Sequence, residues 1–260
     1  MLVDTHCHIH EASYKLPVSD VLQRARETGV EKLICVGTSE ESSRQALNFS
    51  DQHDGVFATV GVHPHDAKDG VAAIGDLVAT KHKKLVAVGE IGLDYYYLHS
   101  PRDVQIAAFE QQLQYACDAN LPVAFHVRDA EKANENTTVW RDFWSVVSNF
   151  PKLRGVLHSF TDSHANMERG LVHGFYISAN GISTFTRDES QQEMFKNIPL
   201  ERLLLETDAP FLTPRPFRGT MNEPCRVSEV AKHHATVRNC SFDEIAHHTT
   251  RNAEALFDIS

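Results

Sequence analysis

No Cys-x-x-Cys pair occurs anywhere in the chain, and its five cysteines, Cys7, Cys35, Cys117, Cys225 and Cys240, are odd in number and widely spread. Such spacing indicates neither a disulfide framework nor a zinc ribbon, so reduced and mostly packed thiols are expected. No apolar run reaches the roughly 18 residues of a membrane-spanning helix. Asp4, His6 and His8 break any reading of the N-terminus as a signal peptide, and a cytoplasmic protein without a membrane partner is expected. Basic residues are in short supply: 25 Lys and Arg stand against 35 Asp and Glu, a formal net charge of -10. That balance disfavours broad electrostatic adhesion to a polyanion, although carboxylate-bound divalent cations reverse the sign locally. Internal repeats and low-complexity tracts are missing too, and nothing in the sequence implies an obligate protein partner.

What is present is an ordinary globular composition, 42% hydrophobic and 23% charged, with a surplus of histidine, 16 in 260 residues. A chain of this length buries a substantial core and is read as one domain spanning residues 1–260. Eight apolar runs read as strands: Leu2 to Ile9, Lys32 to Gly37, Val56 to Val62, Leu85 to Glu90, Pro122 to Val127, Gly155 to Ser159, Gly174 to Ala179 and Arg202 to Thr207. Amphipathic segments separate them, such as Ser19 to Thr28 and Arg102 to Asn120, the latter with Ile106, Phe109, Leu113 and Ala116 at helical spacing. Repeated strand–helix alternation implies parallel strands joined by crossover helices. Eight such units predict a (β/α)8 TIM barrel of the α/β class, with an open doubly wound sheet as the alternative. Two additional C-terminal helices, Val227 to Arg238 and Phe242 to Leu256, are expected to cover the barrel wall. The proline-rich piece from Pro210 to Pro224 reads as a stiff loop.

In such a barrel, chemistry belongs to the C-terminal ends of the strands. Residues of metal-ligating type recur there. The first strand offers His6 and His8, the third ends in Gly61-Val62-His63-Pro64-His65, and the fourth in Gly89-Glu90-Ile91-Gly92-Leu93-Asp94. The fifth offers His126 and Arg128, the sixth His158, and the eighth Glu206-Thr207-Asp208. A strand repeats every two residues, so His6 and His8 share a face and reach one cation together. Imidazole suits Zn, Mn, Fe or Ni, while Glu90 and Asp208 add hard anionic oxygen able to bridge or stabilise two divalent ions. Singly, each residue has a structural reading. His126 or His158 serves as a hydrogen-bonded strand end, Glu90 as a buried partner of an arginine, and Asp208 as a turn residue before Ala209-Pro210. Recurrence at one end of six strands favours the joint reading, a binuclear site. His233, His234, His247 and His248 fall on the C-terminal helices, and His53, His82, His99, His164 and His173 have no evident partners; all are read as packing or surface residues, and His10 as a loop residue.

The motifs "DTHCHIH", "VGVHPHD", "VGEIGLDYYY", "PVAFHVRDA", "VLHSFT", "GFYISANGISTF", "LLLETDAPFL" and "NEP", in this order, resemble those of the TatD family of metal-dependent hydrolases, a branch of the amidohydrolase-like barrels. The resemblance covers nearly the whole chain. It implies a TIM barrel with a divalent-metal site at its C-terminal face and DNase activity, 3' to 5' exonuclease action on single strands. It also implies that His6, His8, Glu90, His126, His158 and Asp208 are the metal ligands, with Glu90 in the bridging position. His63 and His65 resemble the family's substrate-side pair. The chain departs from the pattern in "RGTMNEP", where Thr220 and Met221 replace usually basic residues, and at Asp162, where glycine is common after "HSFT".

The expected cofactors are therefore divalent ions, two per chain, drawn from Mg, Mn or Zn, and the expected partner is single-stranded DNA. Divalent cations lower the pKa of water toward neutrality. Asp208 is then the candidate proton acceptor and, with Glu90, the catalytic pair. His63, His65 and Arg128 are expected to hold a phosphate oxygen, Tyr95 (or its neighbours Tyr96 and Tyr97) to stack on a nucleobase or pack in the core, and Glu206 to orient a ligand. Two other functions stay open: hydrolysis of a small ester, lactone or amide on the same barrel, and a barrel that binds metal without turnover.

Overall fold

The computed structural model describes residues 1–130 and 138–260. Its eight strands are β1 Leu2–Cys7, β2 Val30–Val36, β3 Val56–Val60, β4 Leu85–Asp94, β5 Val123–Arg128, β6 Gly155–Leu157, β7 Tyr176–Ala179 and β8 Leu203–Leu205. They are parallel and adjacent in chain order from β1 to β8. The first helices are α1 Val18–Glu27, α2 Glu40–Gln52, α3 Ala72–Ala79, α4 Arg102–Ala119 and α5 Val139–Val147. Then come α6 His164–Val172, α7 Ile182–Phe185, α8 Glu189–Asn197, α9 Val227–Arg238 and α10 Phe242–Phe257. The eight strands appear where the apolar runs place them, with one instructive difference. β4 runs to Asp94, four residues past the expected end, because Gly92 gives the strand room: a Cβ there would run into the backbone carbonyl of His126 on β5.

Strand alternation splits the core into two layers. Leu33, Cys35, Leu203 and Leu205 pack outward with helix residues such as Val21, Ala46 and Phe109. Ile34, Val36, Ala124, Val156 and Leu204 turn the other way and form a smaller cluster inside the barrel, plugged below by Leu256, Phe257 and Ile259. Two residues beyond Ala124, Val156 and Leu204, the same inward face carries His126, His158 and Glu206. Period two thus lifts the chemistry from an apolar floor to the C-terminal mouth.

The open-sheet alternative is excluded by the meeting of β8 with β1. His8 N–H donates to Ala209 O (2.7 Å), Asp208 N–H to His6 O (2.9 Å), and Thr5 Oγ1–H to Leu205 O (3.1 Å). Fully buried Asp4 strengthens this seam: its Oδ1 accepts Thr207 N–H at 2.8 Å, and its Oδ2 lies 2.5 Å from Thr207 Oγ1. Helix α10 packs over both seam strands, as the expected wall cover, and α9 packs against it. The proline-rich loop is tied down by Asn222, whose Nδ2 donates to Thr207 O (2.9 Å) and Phe211 O (2.7 Å). Among the described residues, no helix is long and apolar enough to cross a membrane.

Burial pushes the Asp4 carboxyl up to about 8, and the Thr207 hydrogen bonds only partly offset this. A carboxyl raised in the folded state holds its proton where the unfolded chain has lost it, so stability falls as pH climbs from about 4 toward 8. Asp4→Asn keeps the acceptor for Thr207 N–H and reverses the second bond, its amide N–H donating to Thr207 Oγ1 where the parent's Oδ2 accepts from that hydroxyl. It should stay within about 1 kcal/mol of the parent and lose this pH slope. Asp4→Ala leaves buried donors unmatched and should cost roughly 2–4 kcal/mol. Urea melts of the parent and both variants at pH 5 and pH 8 measure this; an alanine variant as stable as the parent would remove Asp4 from the seam's support.

Candidate metal centre

The mouth of the barrel is a cleft of about 720 Å³ whose walls include His8, His63, His65, Glu90, Tyr97, His126, Arg128, His158, Asp208 and Phe211. Two donor groups face each other across one carboxylate. In the first, His6 Nε2 and His8 Nε2 stand 3.2 Å apart. Glu90 Oε2 lies 3.4 Å from His6 Nε2 and 4.0 Å from His8 Nε2, and Asp208 Oδ1 lies 3.7 and 3.4 Å from the same two nitrogens. In the second, Glu90 Oε1 lies 2.7 Å from His126 Nδ1, 3.4 Å from His158 Nε2 and 3.7 Å from His63 Nε2. Each oxygen of Glu90 therefore serves a different cluster.

Neighbouring groups decide which nitrogen each imidazole presents. His8 Nδ1 lies 3.0 Å from Val36 O, a contact that requires a proton on Nδ1 and turns Nε2 toward His6 and Asp208. His158 Nδ1 sits 2.9 Å from Glu206 Oε1, an ionic contact that turns Nε2 toward Glu90. Glu206 is held in turn by Ser159 N–H at 2.7 Å. His126 is gripped at both nitrogens, by Glu90 at Nδ1 and by Asp94 Oδ2 at Nε2 (3.0 Å). Asp208 reaches the first cluster from a left-handed backbone conformation, φ 56°, that the seam bond to His6 O secures. Aspartate tolerates that conformation better than most residues.

Buried charge here is mutual. Burial opposes ionisation of Glu90, but His158, His126 and His6 outweigh it and hold the carboxyl well below the usual range. Burial also opposes charge on His8 and His158; Asp208 and Glu90 raise the first to about 9, and Glu206 and Glu90 raise the second to about 10. His6 is pushed down by burial and by His158, and His63 well down by burial and by His126. Convergent imidazole nitrogens sharing buried carboxylates fit a divalent cation.

The six expected ligands, His6, His8, Glu90, His126, His158 and Asp208, are thus brought together, with Glu206 behind His158. His63 sits closer than expected for a substrate contact, against Glu90 itself. His65 lies further out, with Nε2 3.1 Å from Asp94 Oδ2, and Arg128 lines the cleft with its guanidinium 4.1 Å from the Tyr96 ring and 4.9 Å from that of Tyr97. The expectation for Tyr95 is corrected. Its ring is buried under the Arg102 guanidinium at 4.3 Å, and its hydroxyl donates to Asp142 at 2.8 Å, so it belongs to the core. Half-exposed Tyr97 lines the cleft instead, because Asp94 Oδ1 accepts the N–H groups of Tyr96 (2.9 Å) and Tyr97 (3.0 Å) and turns the chain outward. His99, read as a partnerless surface residue, packs edge-on against His65 with centroids 4.7 Å apart. Thr220 and Met221 lie outside the cleft wall: Thr220 Oγ1 and Met221 O both accept from Arg226.

Asp94 and Phe211 went unassigned from sequence. Asp94 follows Glu90 by four residues and so shares its face of the strand, a signal that was available; nothing local marks Phe211 as a cleft residue.

Comparison with known proteins agrees with this geometry. The family profile described as TatD related DNase matches residues 3–258. The chain belongs to the TatD family. A Bacillus subtilis relative, the uncharacterized metal-dependent hydrolase YabD, is 38% identical over 264 residues, covering 100% of both chains. The 3'-5' ssDNA/RNA exonuclease TatD of Erwinia tasmaniensis is 36% identical over 252 residues, with 92% of this chain and 93% of that protein covered. Among solved structures, the TatD homologue YJJV of Escherichia coli superimposes with a TM-score of 0.90 at 28% identity, over 100% of this chain and 98% of that one. The protein is accordingly a TatD-family metal-dependent hydrolase with a TIM-barrel fold.

At pH 7 His8 and His158 carry protons that an incoming cation must displace. Metal uptake should therefore release protons, and affinity should rise with pH by about tenfold per unit for each proton displaced. Calorimetric titration of Zn or Mn in buffers of different ionisation heat reads the proton count. Uptake that ignores pH between 6 and 8 would contradict the assignment of these two imidazoles.

Proposed function

We propose that this TatD-family hydrolase cleaves phosphodiester bonds of single-stranded DNA as a 3' to 5' exonuclease, using two divalent ions. The observation that carries the reading is the single carboxylate shared by two donor clusters at the floor of an open cleft whose wall carries Arg128 and Tyr97. The Erwinia relative's exonuclease name supports the same substrate class. When bound, the ions lower the pKa of water and offset negative charge on the scissile group. Every other contribution is the chain's own. Glu90 holds the two clusters in register. Asp208, whose side chain retains 14% exposure to the cleft, is placed to take the proton from attacking water. Arg128, steadied by two tyrosine rings, donates to a nonbridging phosphate oxygen, and His65 stands on the same wall. Tyr97 presents an exposed ring to an unpaired base.

A second reading, hydrolysis of a small neutral ester, lactone or amide, is favoured by the net charge of -10.

One experiment separates the two. Single-stranded oligonucleotides labelled at the 3' or the 5' end are incubated with protein and Mg, Mn or Zn in turn, beside a panel of esters and lactones. The expected result is metal-dependent shortening from the 3' end that a chelator abolishes. Asp208→Ala and Glu90→Ala should each lower the rate by about 100-fold or more while circular dichroism shows a folded barrel. Full activity in either variant, or cleavage indifferent to chelation, defeats the mechanism, and turnover confined to the ester panel selects the second reading.

A further inference from the structure

Asp94 has no task in the reaction proposed above, yet it is fully buried and both of its carboxylate oxygens are engaged. Its Oδ1 accepts the N–H groups of Tyr96 (2.9 Å) and Tyr97 (3.0 Å). Its Oδ2 stands between two imidazoles, 3.0 Å from His126 Nε2 and 3.1 Å from His65 Nε2. The backbone of the same residue is clamped by Gln105, also fully buried. Gln105 Oε1 accepts Asp94 N–H at 2.8 Å, and its Nε2 donates to Asp94 O at 3.0 Å. The carboxylate is thus held against His126 from both ends of the residue.

Three expected ligands rest one ring nitrogen against the protein, each by a different group: His8 against Val36 O, His158 against Glu206 and His126 against Asp94. For His126 this contact decides which atom is left for a cation. With Nε2 committed to Asp94 Oδ2, Nδ1 is the nitrogen that meets Glu90 Oε1, at 2.7 Å, where His63, Glu90 and His126 converge. Among the described residues neither Asp94 nor His65 belongs to a ligand group compact enough for an ion.

An imidazole that gives Nδ1 to a cation keeps its proton on Nε2. Asp94 Oδ2 then faces ring N–H groups while Oδ1 faces two backbone N–H groups, so both ends of this side chain must accept. An ionised carboxylate accepts at both oxygens, whereas an amide of the same shape accepts at one and donates at the other. We infer that Asp94 is a positioning residue of the metal centre. It fixes His126 as an Nδ1 ligand beside Glu90 and, through the oxygen shared with His65, ties that ligand to the outer wall of the cleft. The inference rests on the reading of the second cluster as a metal site.

Full-length protein stripped with a chelator is titrated with Zn by calorimetry, the parent beside Asp94→Asn. The parent should take up two ions. In the variant one affinity should fall by about 10–100-fold and the other hold. Nitrogen-15 spectra of the histidine rings in the Zn-loaded parent, with His126 assigned through His126→Gln, should show zinc on Nδ1 and a proton on Nε2. A role confined to turning the chain at Tyr96 would not set that pattern. Zinc on Nε2 of His126, no zinc on that ring, or unchanged affinities in a folded Asp94→Asn would each overturn the role, and the parent's spectrum decides even if the variant folds poorly. Uptake of a single ion by the parent overturns the two-ion reading instead, and the ring spectrum then still decides whether Asp94 directs it to Nδ1.

Discussion

The contact between the first and last strands is the constraint on which the rest depends. A row of eight parallel strands has two edges until β8 meets β1, and only then does the barrel have an interior. The same contact assembles the first donor cluster, since His6 and His8 come from β1 and Asp208 from the turn after β8. Backbone bonds between His6 O and Asp208 N–H and between His8 N–H and Ala209 O set their separation directly. Asp4 and Thr207, one turn of the pleat below, carry no chemistry but hold that register, and α10 keeps water off it.

Within the mouth, order comes from electrostatics under burial. A lone buried carboxylate or imidazolium is costly, and here each charge has a counterpart on another strand: Glu90 with the surrounding imidazoles, His158 with Glu206, His126 with Asp94. Because each of these partners sits on a β-strand or on the residue directly after one, the donors are fixed before any cation arrives, and binding spends little on reorganisation.

The strand-end histidines and carboxylates were legible because two physical periods agree: residues repeat every two along a strand, and parallel strands in a barrel all end at one mouth. His126, His158 and Glu206 stand two residues above an apolar inward position, a pattern visible in the letters alone. Tyr95 was misread for a reason of equal simplicity. The extended β4 places Asp94 inward, and its acceptance of two N–H groups decides which of three consecutive tyrosines emerges. The role of Asp4 was illegible because its partner is 203 residues away.

The seam has a consequence for how the molecule comes into being. During synthesis β1 emerges first and β8 nearly last, so the nascent chain displays His6 and His8 long before Asp208 exists to face them. The first donor cluster is therefore open on one side until β8 has been made and has met β1. Its completion is set by the order in which the strands are made.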